Sequence, residues 1–95
     1  MDIVFAALAH PTRREILVLL RSGGRSAGEL AAAFAVSKPT MSAHFAKLRD
    51  AGLIAAENRG ATIVYSLNLS LVEETVLALM ERLGSTADRR SHAQS

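Results

Sequence analysis

The spacing of apolar residues along the chain predicts mostly short helices, separated by residues that favour turns. Residues 2–9 form one apolar segment that ends before Pro11. From Pro11 to Ser22 the bulky apolar side chains recur on one helical face, and Gly23 follows this segment. The pattern predicts two helices, because a period of about 3.6 residues places such side chains on one side of a helix.

Two more helices are predicted on either side of a short turn. Ser26 and Glu29 have the spacing of a capping box, which predicts a third helix that continues to about Phe34. Residues 33–36 then form the turn. A fourth helix over residues 37–51 follows, with a serine at its start and a glycine after its end.

After the fourth helix the apolar period changes to that of β-strands. Residues 53–58 and 62–68 are short, contain β-branched side chains and flank a turn that contains glycine, which predicts a β-hairpin. Residues 68–83 return to helical spacing. Ser70 and Glu73 predict a second capping box at the start of this last helix.

A helix-turn-helix followed by a hairpin is the arrangement of a winged helix-turn-helix. We therefore expect a mainly α fold of about five helices with a small two-stranded β-hairpin as the wing. Residues 1–83 would form one domain, because a chain of 95 residues supports a single core. Residues 84–95 contain no bulky apolar side chain, and we expect a disordered tail there.

The outer face of the fourth helix carries short or basic side chains. Met41, Phe45 and Leu48 form the stripe expected to be buried. Small side chains let a helix approach a DNA groove closely, and longer donors reach bases and phosphates. With Ser42 and His44 on its two flanks, the candidate DNA contacts on this helix are Lys38, Pro39, Thr40, Ser42, Ala43, His44 and Lys47.

Two arginines outside the fourth helix are further candidates for DNA contact. Arg59 is expected at the exposed tip of the hairpin, where it can follow a minor groove or the DNA backbone. Arg13 and its neighbour Arg14 either clamp phosphates beside the fourth helix or pair with surface acids such as Glu15; the sequence favours neither interpretation.

Composition limits the functional classes. Apolar residues make up 49% of the chain and aromatic residues 4%, which favours a helical core. Residues 1–67 hold eight basic and five acidic side chains, a mild excess compatible with nucleic acid. The absence of cysteine excludes disulfides and thiolate ligands and favours the cytoplasm, and no apolar run is long enough for membrane insertion. We find no catalytic constellation and expect no enzyme.

The ordered runs HPTRREILVLL, GELAAAFAVSKPTMSAHFAKLRDAGLI and VYSLN resemble the ArsR family of bacterial winged-helix repressors, in particular its SdpR-like autorepressor branch. The resemblance covers about residues 3–83. It implies a DNA-binding and dimerisation domain whose homodimer represses transcription at a double-stranded DNA operator with imperfect two-fold symmetry. It also implies that residues 37–51 are the recognition helix and that Arg59 heads the wing.

The same resemblance implies positions for a metal effector, and the chain departs from the family there. The thiolate pair corresponds to Ser26 and Gly28. The second site corresponds to Leu69, Leu71, Arg82 and Ser85. None of the residues at the second site is a usual ligand for zinc or nickel. The three histidines, His10, His44 and His92, are expected to lie far apart, so we expect no metal and no cofactor.

Apolar side chains left over from the winged-helix core predict a dimer interface. They lie in the first and last helices, and an exposed apolar patch of this size usually marks an interface. The predicted interface residues are Ile3, Phe5, Leu8, Val72, Val76, Leu79, Met80 and Leu83.

The sequence leaves two other functions open. The same winged helix can serve as a protein-interaction module, and a metal-responsive repressor is a further alternative. Charge placement favours DNA, because Lys38, His44, Lys47 and Arg59 converge and only Asp50 on that helix is acidic. The missing ligands are compatible with a protein partner that sequesters the repressor.

Overall fold

The computed structural model describes residues 2–84 and has the predicted winged helix-turn-helix fold. Its helices are α1 (Asp2–Leu8), α2 (Pro11–Leu19), α3 (Ala27–Ala32), α4 (Lys38–Asp50) and α5 (Leu69–Arg82), with a 3-10 turn, Leu20–Ser22, after α2. Its strands are β1 (Arg25–Ser26), β2 (Ile54–Arg59) and β3 (Thr62–Leu67). Most of the tail predicted at residues 84–95 lies outside the described residues, and that prediction stays open.

The predicted hairpin belongs to a three-stranded antiparallel sheet in the order β1-β3-β2. Strands β2 and β3 pair from Ile54 opposite Leu67 to Arg59 opposite Thr62. The additional strand is β1, whose Arg25 lies opposite Tyr65. Two residues are too few to give a period-2 pattern, so the sequence does not reveal this strand.

Local capping signals explain both ends of α4, which is the predicted recognition helix. The Ser37 hydroxyl accepts a hydrogen bond from the backbone N–H of Thr40 at 3.3 Å. At the other end, the N–H of Leu53 donates to the carbonyl of Leu48 at 3.0 Å, and the N–H of Gly52 donates to that of Arg49 at 2.9 Å. This pair of bonds is a Schellman motif, which Gly52 permits with a φ of 79°.

Two predicted helix ends differ from the structure. Helix α3 has the expected capping box of Ser26 and Glu29 but ends at Ala32, two residues before Phe34. The capping box predicted for Ser70 and Glu73 is wrong, because the N-cap of α5 lies two residues earlier in the chain. Its N-cap is Asn68, whose side chain accepts a hydrogen bond from the N–H of Leu71.

The core lies where the helices meet the sheet. Its largest fully buried side chains come from α2, its 3-10 extension, α3, α4 and the residue before β2: Ile16, Leu20, Leu30, Met41, Leu48 and Leu53. Phe45 and Tyr65 pack with ring centroids 4.6 Å apart, so Tyr65 is a core residue. The core therefore fixes one face of α4 and leaves the opposite face to solvent.

Candidate DNA-binding surface

The solvent face of α4 carries most of the predicted contact residues. Met41, Phe45 and Leu48 are buried, as the apolar spacing predicts. The exposed residues of α4 that the sequence proposes for DNA contact are Lys38, Pro39, Thr40, Ser42, Ala43 and Lys47. We call this set the α4 face.

The first turn of α4 combines a cation with the positive end of a helix. Lys38 is the first residue of α4 and is exposed. A cation is unfavourable at this end, because the free N–H groups of a helix start carry partial positive charge. A phosphate beside this turn would stabilise both the lysine and the helix start. The Ser37 hydroxyl also donates to the Thr40 hydroxyl at 2.9 Å, which orders the two short side chains.

The wing presents its basic residue in a paired state. Arg59 is the last residue of β2, and its guanidinium lies 3.2 Å from the carboxylate of Glu57. Both side chains are exposed, so the ion pair is worth little in water and can open at small cost. Arg59 therefore remains available to a phosphate.

His44 does not lie on a solvent-exposed flank of α4, so the flank position predicted for it is wrong. Its side chain is buried, with only 7% exposure. Burial disfavours the charged imidazolium and lowers the pKa of His44 below its usual value of 6.5; the neighbouring His10 and Arg13 act in the same direction. The surface that α4 presents to solvent therefore does not offer His44 for direct contact with a base.

The pairing of Arg13 with a surface acid is wrong, whereas its contact with a phosphate stays a prediction. Its side chain is half-buried and forms no ion pair with an acid among the described residues. Its guanidinium donates to the carbonyls of Ala6 and Ala7 and contacts His44. Arg14 donates to the carbonyl of Leu8 at 2.8 Å. Both arginines thus donate to carbonyl groups in the last turn of α1.

The expectation that the histidines lie far apart is wrong for His10 and His44. Their ring centroids are 4.5 Å apart. The connection between α1 and α2 carries His10 against the buried side of α4, a contact that sequence separation hides. His92 lies outside the described residues. Within residues 2–84 no group of three or more histidine, cysteine, aspartate or glutamate side chains could hold a metal ion.

The helices at the two ends of the chain leave apolar side chains in solvent. Ile3 is 55% exposed, Val76 45%, Leu79 37% and Leu83 65%. The other predicted interface residues, Phe5, Leu8, Val72 and Met80, are half-buried within the single chain. Of these, Leu8 and Val72 pack against the core. The structure also exposes Leu69 and Leu77 on α5, which the sequence prediction omitted.

Comparison with known proteins identifies this architecture. A family model described as a helix-turn-helix domain matches residues 8–56, which run from the end of α1 into β2. The chain is 41% identical over 76 residues to the transcriptional repressor SdpR of Bacillus subtilis, covering 80% of this chain and 84% of that protein. The chain belongs to the ArsR family of winged-helix transcriptional regulators.

Solved structures of ArsR proteins agree with this assignment. An ArsR-like transcriptional regulator from Rhodococcus sp. RHA1 has a TM-score of 0.76 and 35% identity, covering 97% of this chain and 86% of that chain. A crystal structure of another ArsR family regulator has a TM-score of 0.75 and 30% identity, covering 88% and 96%. As an ArsR protein the chain is a DNA-binding regulator. Within residues 2–84, no helix is long and apolar enough to span a membrane.

Proposed function

We propose that this chain is a homodimeric, sequence-specific repressor that binds a palindromic operator through the α4 face and the wing, without a metal effector. The observation that carries the proposal is the contrast between the two faces of α4. One face is locked in the core by Met41, Phe45 and Leu48, whereas the α4 face is exposed and carries short or basic side chains.

The chemistry of the α4 face suits a major groove. Ser42 and Thr40 are short donors and acceptors that can reach base edges, and Ala43 can pack on a thymine methyl group. Lys38 and Lys47 lie in the first turn and near the last turn of α4, where they can contact phosphates. Arg59 adds a third cation from the wing. In this arrangement the small residues read the bases, and the cations contact the phosphates of the DNA backbone.

The dimer is inferred from the exposed apolar side of α5. Leu69, Val76, Leu79 and Leu83 are exposed there, and with the half-buried Val72 they follow one another at intervals of three, four, three and four residues. This spacing produces one seam along a helix, along which two copies of α5 can pack. Thr75, on the adjacent side of the helix, is buried within the chain. Ile3 on α1 extends the apolar surface.

A two-fold axis along this seam would relate two copies of α4. Recognition helices that enter successive major grooves on one side of B-DNA are roughly 34 Å apart. A symmetric dimer therefore requires an operator whose two halves are inverted repeats, since the same residues contact each half. This is the physical reason for expecting a palindrome.

The proposed lack of a metal effector is supported by side-chain chemistry. Positions that the ArsR resemblance aligns with metal ligands are occupied by Ser26, Gly28, Leu69, Leu71 and Arg82 within the described residues. A neutral hydroxyl, apolar groups and a cationic group do not replace thiolate, imidazole or carboxylate ligands. Release from DNA would then need another signal, and a protein partner that sequesters the repressor fits this requirement.

Selection of duplexes from a random-sequence pool tests the proposal. We expect recovery of inverted repeats, and we expect sedimentation of the complex to give two chains per duplex. Binding to the selected duplex should change less than a few fold when zinc or a chelator is added. Recovery of no sequence preference, one chain per duplex, or zinc-dependent release would each contradict the corresponding part of the proposal.

A further inference from the structure

Arg13 connects three parts of the chain through one side chain. Its Nε donates to the carbonyl of Ala7 at 2.7 Å, and its Nη2 donates to the carbonyl of Ala6 at 3.1 Å. Its Nη1 lies 3.2 Å from Nδ1 of His44. The guanidinium belongs to α2, the two carbonyls belong to the last turn of α1, and His44 belongs to α4. The planar fork of a guanidinium fixes the relative directions of these three contacts.

The contact with α4 requires a neutral imidazole. Arginine has only N–H donors, so Nδ1 of His44 must accept the hydrogen bond and the ring proton must reside on Nε2. The His44 side chain is 7% exposed, and its ring packs at 52° against the ring of His10. His10 is itself held, because its Nδ1 accepts a hydrogen bond from the N–H of Thr12 at 3.0 Å. Neither ring can move without losing a bond at its Nδ1 atom.

We propose that Arg13 and His44 are positioning residues for DNA recognition: their contact fixes the orientation of α4 relative to α1, and protonation of His44 releases it. The proposal rests on the proposed function, in which α4 reads DNA and α1 contributes to the dimer surface. In a dimer, the angle between these helices sets the distance between the two recognition helices. A change in this angle lowers the affinity for a correctly spaced operator more than the affinity for arbitrary DNA.

The groups around His44 determine the direction of the pH effect. Within the described residues, the titratable and charged groups that oppose its protonation are His10, from the connection between α1 and α2, and Arg13, from α2. Protonation would convert Nδ1 from an acceptor to a donor and place a second cation beside the guanidinium. Acidification towards the pKa of His44, which lies below 6.5, therefore opens the contact, whereas neutral pH keeps it closed.

Arg14 provides a matched control. It also donates to a carbonyl at the end of α1, the carbonyl of Leu8, but among the described residues it has no hydrogen bond to α4. Arg13→Lys and Arg14→Lys both retain the positive charge and remove the guanidinium fork. Only Arg13→Lys should disturb α4. The two variants therefore distinguish the contact with the recognition helix from the hydrogen bonds to the carbonyls at the end of α1.

His44 offers a second pair of variants. In His44→Asn the amide oxygen occupies approximately the position of Nδ1, so the acceptor is retained without a group that titrates near neutral pH. In His44→Leu the acceptor is removed. The two variants distinguish the effect of the hydrogen bond from the effect of the buried side-chain volume. Circular dichroism shows whether each variant is folded at the temperature of the binding experiment.

The binding experiment compares a duplex that the wild-type chain selects from a random pool with sonicated calf-thymus DNA, at pH 7.5 and pH 5.5. At pH 7.5 we expect Arg13→Lys and His44→Leu to lose about tenfold in the ratio of the two affinities, as for a lost hydrogen bond to a charged group. Arg14→Lys and His44→Asn should resemble the wild type. At pH 5.5 the ratio should fall in the wild type and not in His44→Asn.

Two results would overturn the positioning role, and a third would overturn its dependence on pH. If Arg13→Ala weakened both DNAs equally and reduced the salt slope by about one phosphate contact, Arg13 would be a phosphate ligand. If folded Arg13→Lys and His44→Leu kept the wild-type ratio, the contact would serve stability alone. An equal fall at pH 5.5 in the wild type and His44→Asn would exclude His44 as the titrating group.

Nuclear magnetic resonance of the free protein tests the contact without DNA. Nitrogen-15 shifts at pH 7.5 should place the His44 proton on Nε2, and the ring should titrate below pH 6.5. The Nδ1-protonated tautomer or titration above this value would contradict the contact itself. If the wild type selected no DNA while these shifts were as expected, the proposed function would fail and the Arg13 to His44 contact would stand.

Discussion

The side chain of Asn68 joins the end of α4 to the start of α5 through Gly52. Its Nδ2 donates to the carbonyl of Gly52 at 2.9 Å, while its Oδ1 accepts from the N–H of Leu71 at 3.4 Å. The backbone N–H of Asn68 also donates to the carbonyl of Leu53 at 2.9 Å. One residue thus caps α5 and holds the segment that follows α4. Together with the Arg13 contact, it fixes α4 relative to both terminal helices.

Replacing Asn68 separates its two functions. Asn68→Ala removes the cap and the link, and we expect a loss of about 1–2 kcal/mol in the free energy of unfolding. Asn68→Asp keeps an N-cap acceptor and loses only the donor to Gly52, so its loss should be smaller. Urea denaturation measures both. Equal losses for the two variants would indicate that the cap contributes nothing.

Gly52→Ala should destabilise the protein by about 1–2 kcal/mol, because alanine is strained at a left-handed φ of 79°. The added Cβ would also lie 3.2 Å from Cδ2 of Leu71. Gly28→Ala is the matched control in α3, where the nearest atom to a new Cβ is 3.9 Å away. There we expect a gain of about 0.5–1 kcal/mol, since alanine favours a helix over glycine. Thermal unfolding of both variants checks the opposite signs.

Stability should depend on pH through His44. The folded state disfavours the protonated ring, so the unfolded chain binds this proton at a higher pH than the native chain. The contribution is complete above about pH 6.5 and is lost as the pH falls from 6.5 towards the lower folded pKa. Urea titrations from pH 8 to pH 5 should show this decline in the wild type and a flatter profile in His44→Asn.

Glu29 contributes at a lower pH and can be distinguished from His44. The backbone N–H of Ser26 donates to its carboxylate and lowers the pKa of Glu29 below 4.5. Its contribution is therefore present above pH 4.5 and disappears only below it. A decline between pH 6.5 and pH 5 that persisted in His44→Asn would show that another group is responsible.

Cations of the α4 face should act differently from its small polar residues. Lys47→Ala should weaken binding to all DNA and reduce the salt slope by about 1, because it removes a phosphate contact. Ser42→Ala should mainly change sequence preference. Arg82→Ala, on α5, is the charge-matched control and should have little effect. Binding titrations at several salt concentrations measure these effects. If the combined loss of Lys38, Lys47 and Arg59 left operator affinity unchanged, the α4 face and the wing would not be the DNA-binding surface.

A charge on the α5 seam should prevent dimerisation. Leu79→Arg places a cation where two copies of α5 would exclude water, and we expect monomers with strongly reduced operator affinity. Glu81→Arg, at an exposed position of the same helix, should remain dimeric. Sedimentation equilibrium measures the masses. A wild-type monomer that binds a full operator tightly would show that the seam is not an interface.

The sequence by itself determined the features that depend on neighbouring residues. Ser37, Gly52 and the capping box of Ser26 and Glu29 specify helix ends through bonds that span only a few positions. Apolar spacing likewise predicted which side of α4 is buried, because helical geometry relates nearby positions directly. The winged-helix order and most of the exposed α4 face follow from these local rules.

Only the tertiary structure decided which polar groups meet across the chain. Arg13 and His44 are 31 positions apart, and no local period relates them. Spacing therefore placed His44 on a flank of the DNA-binding face and left Arg13 undecided, whereas the packing of α1, α2 and α4 buries His44 and brings Arg13 into contact with it. The start of α5 was settled in the same way. Ser70 satisfies the local capping pattern, but Asn68 has in addition the carbonyl of Gly52, which packing brings within hydrogen-bonding distance.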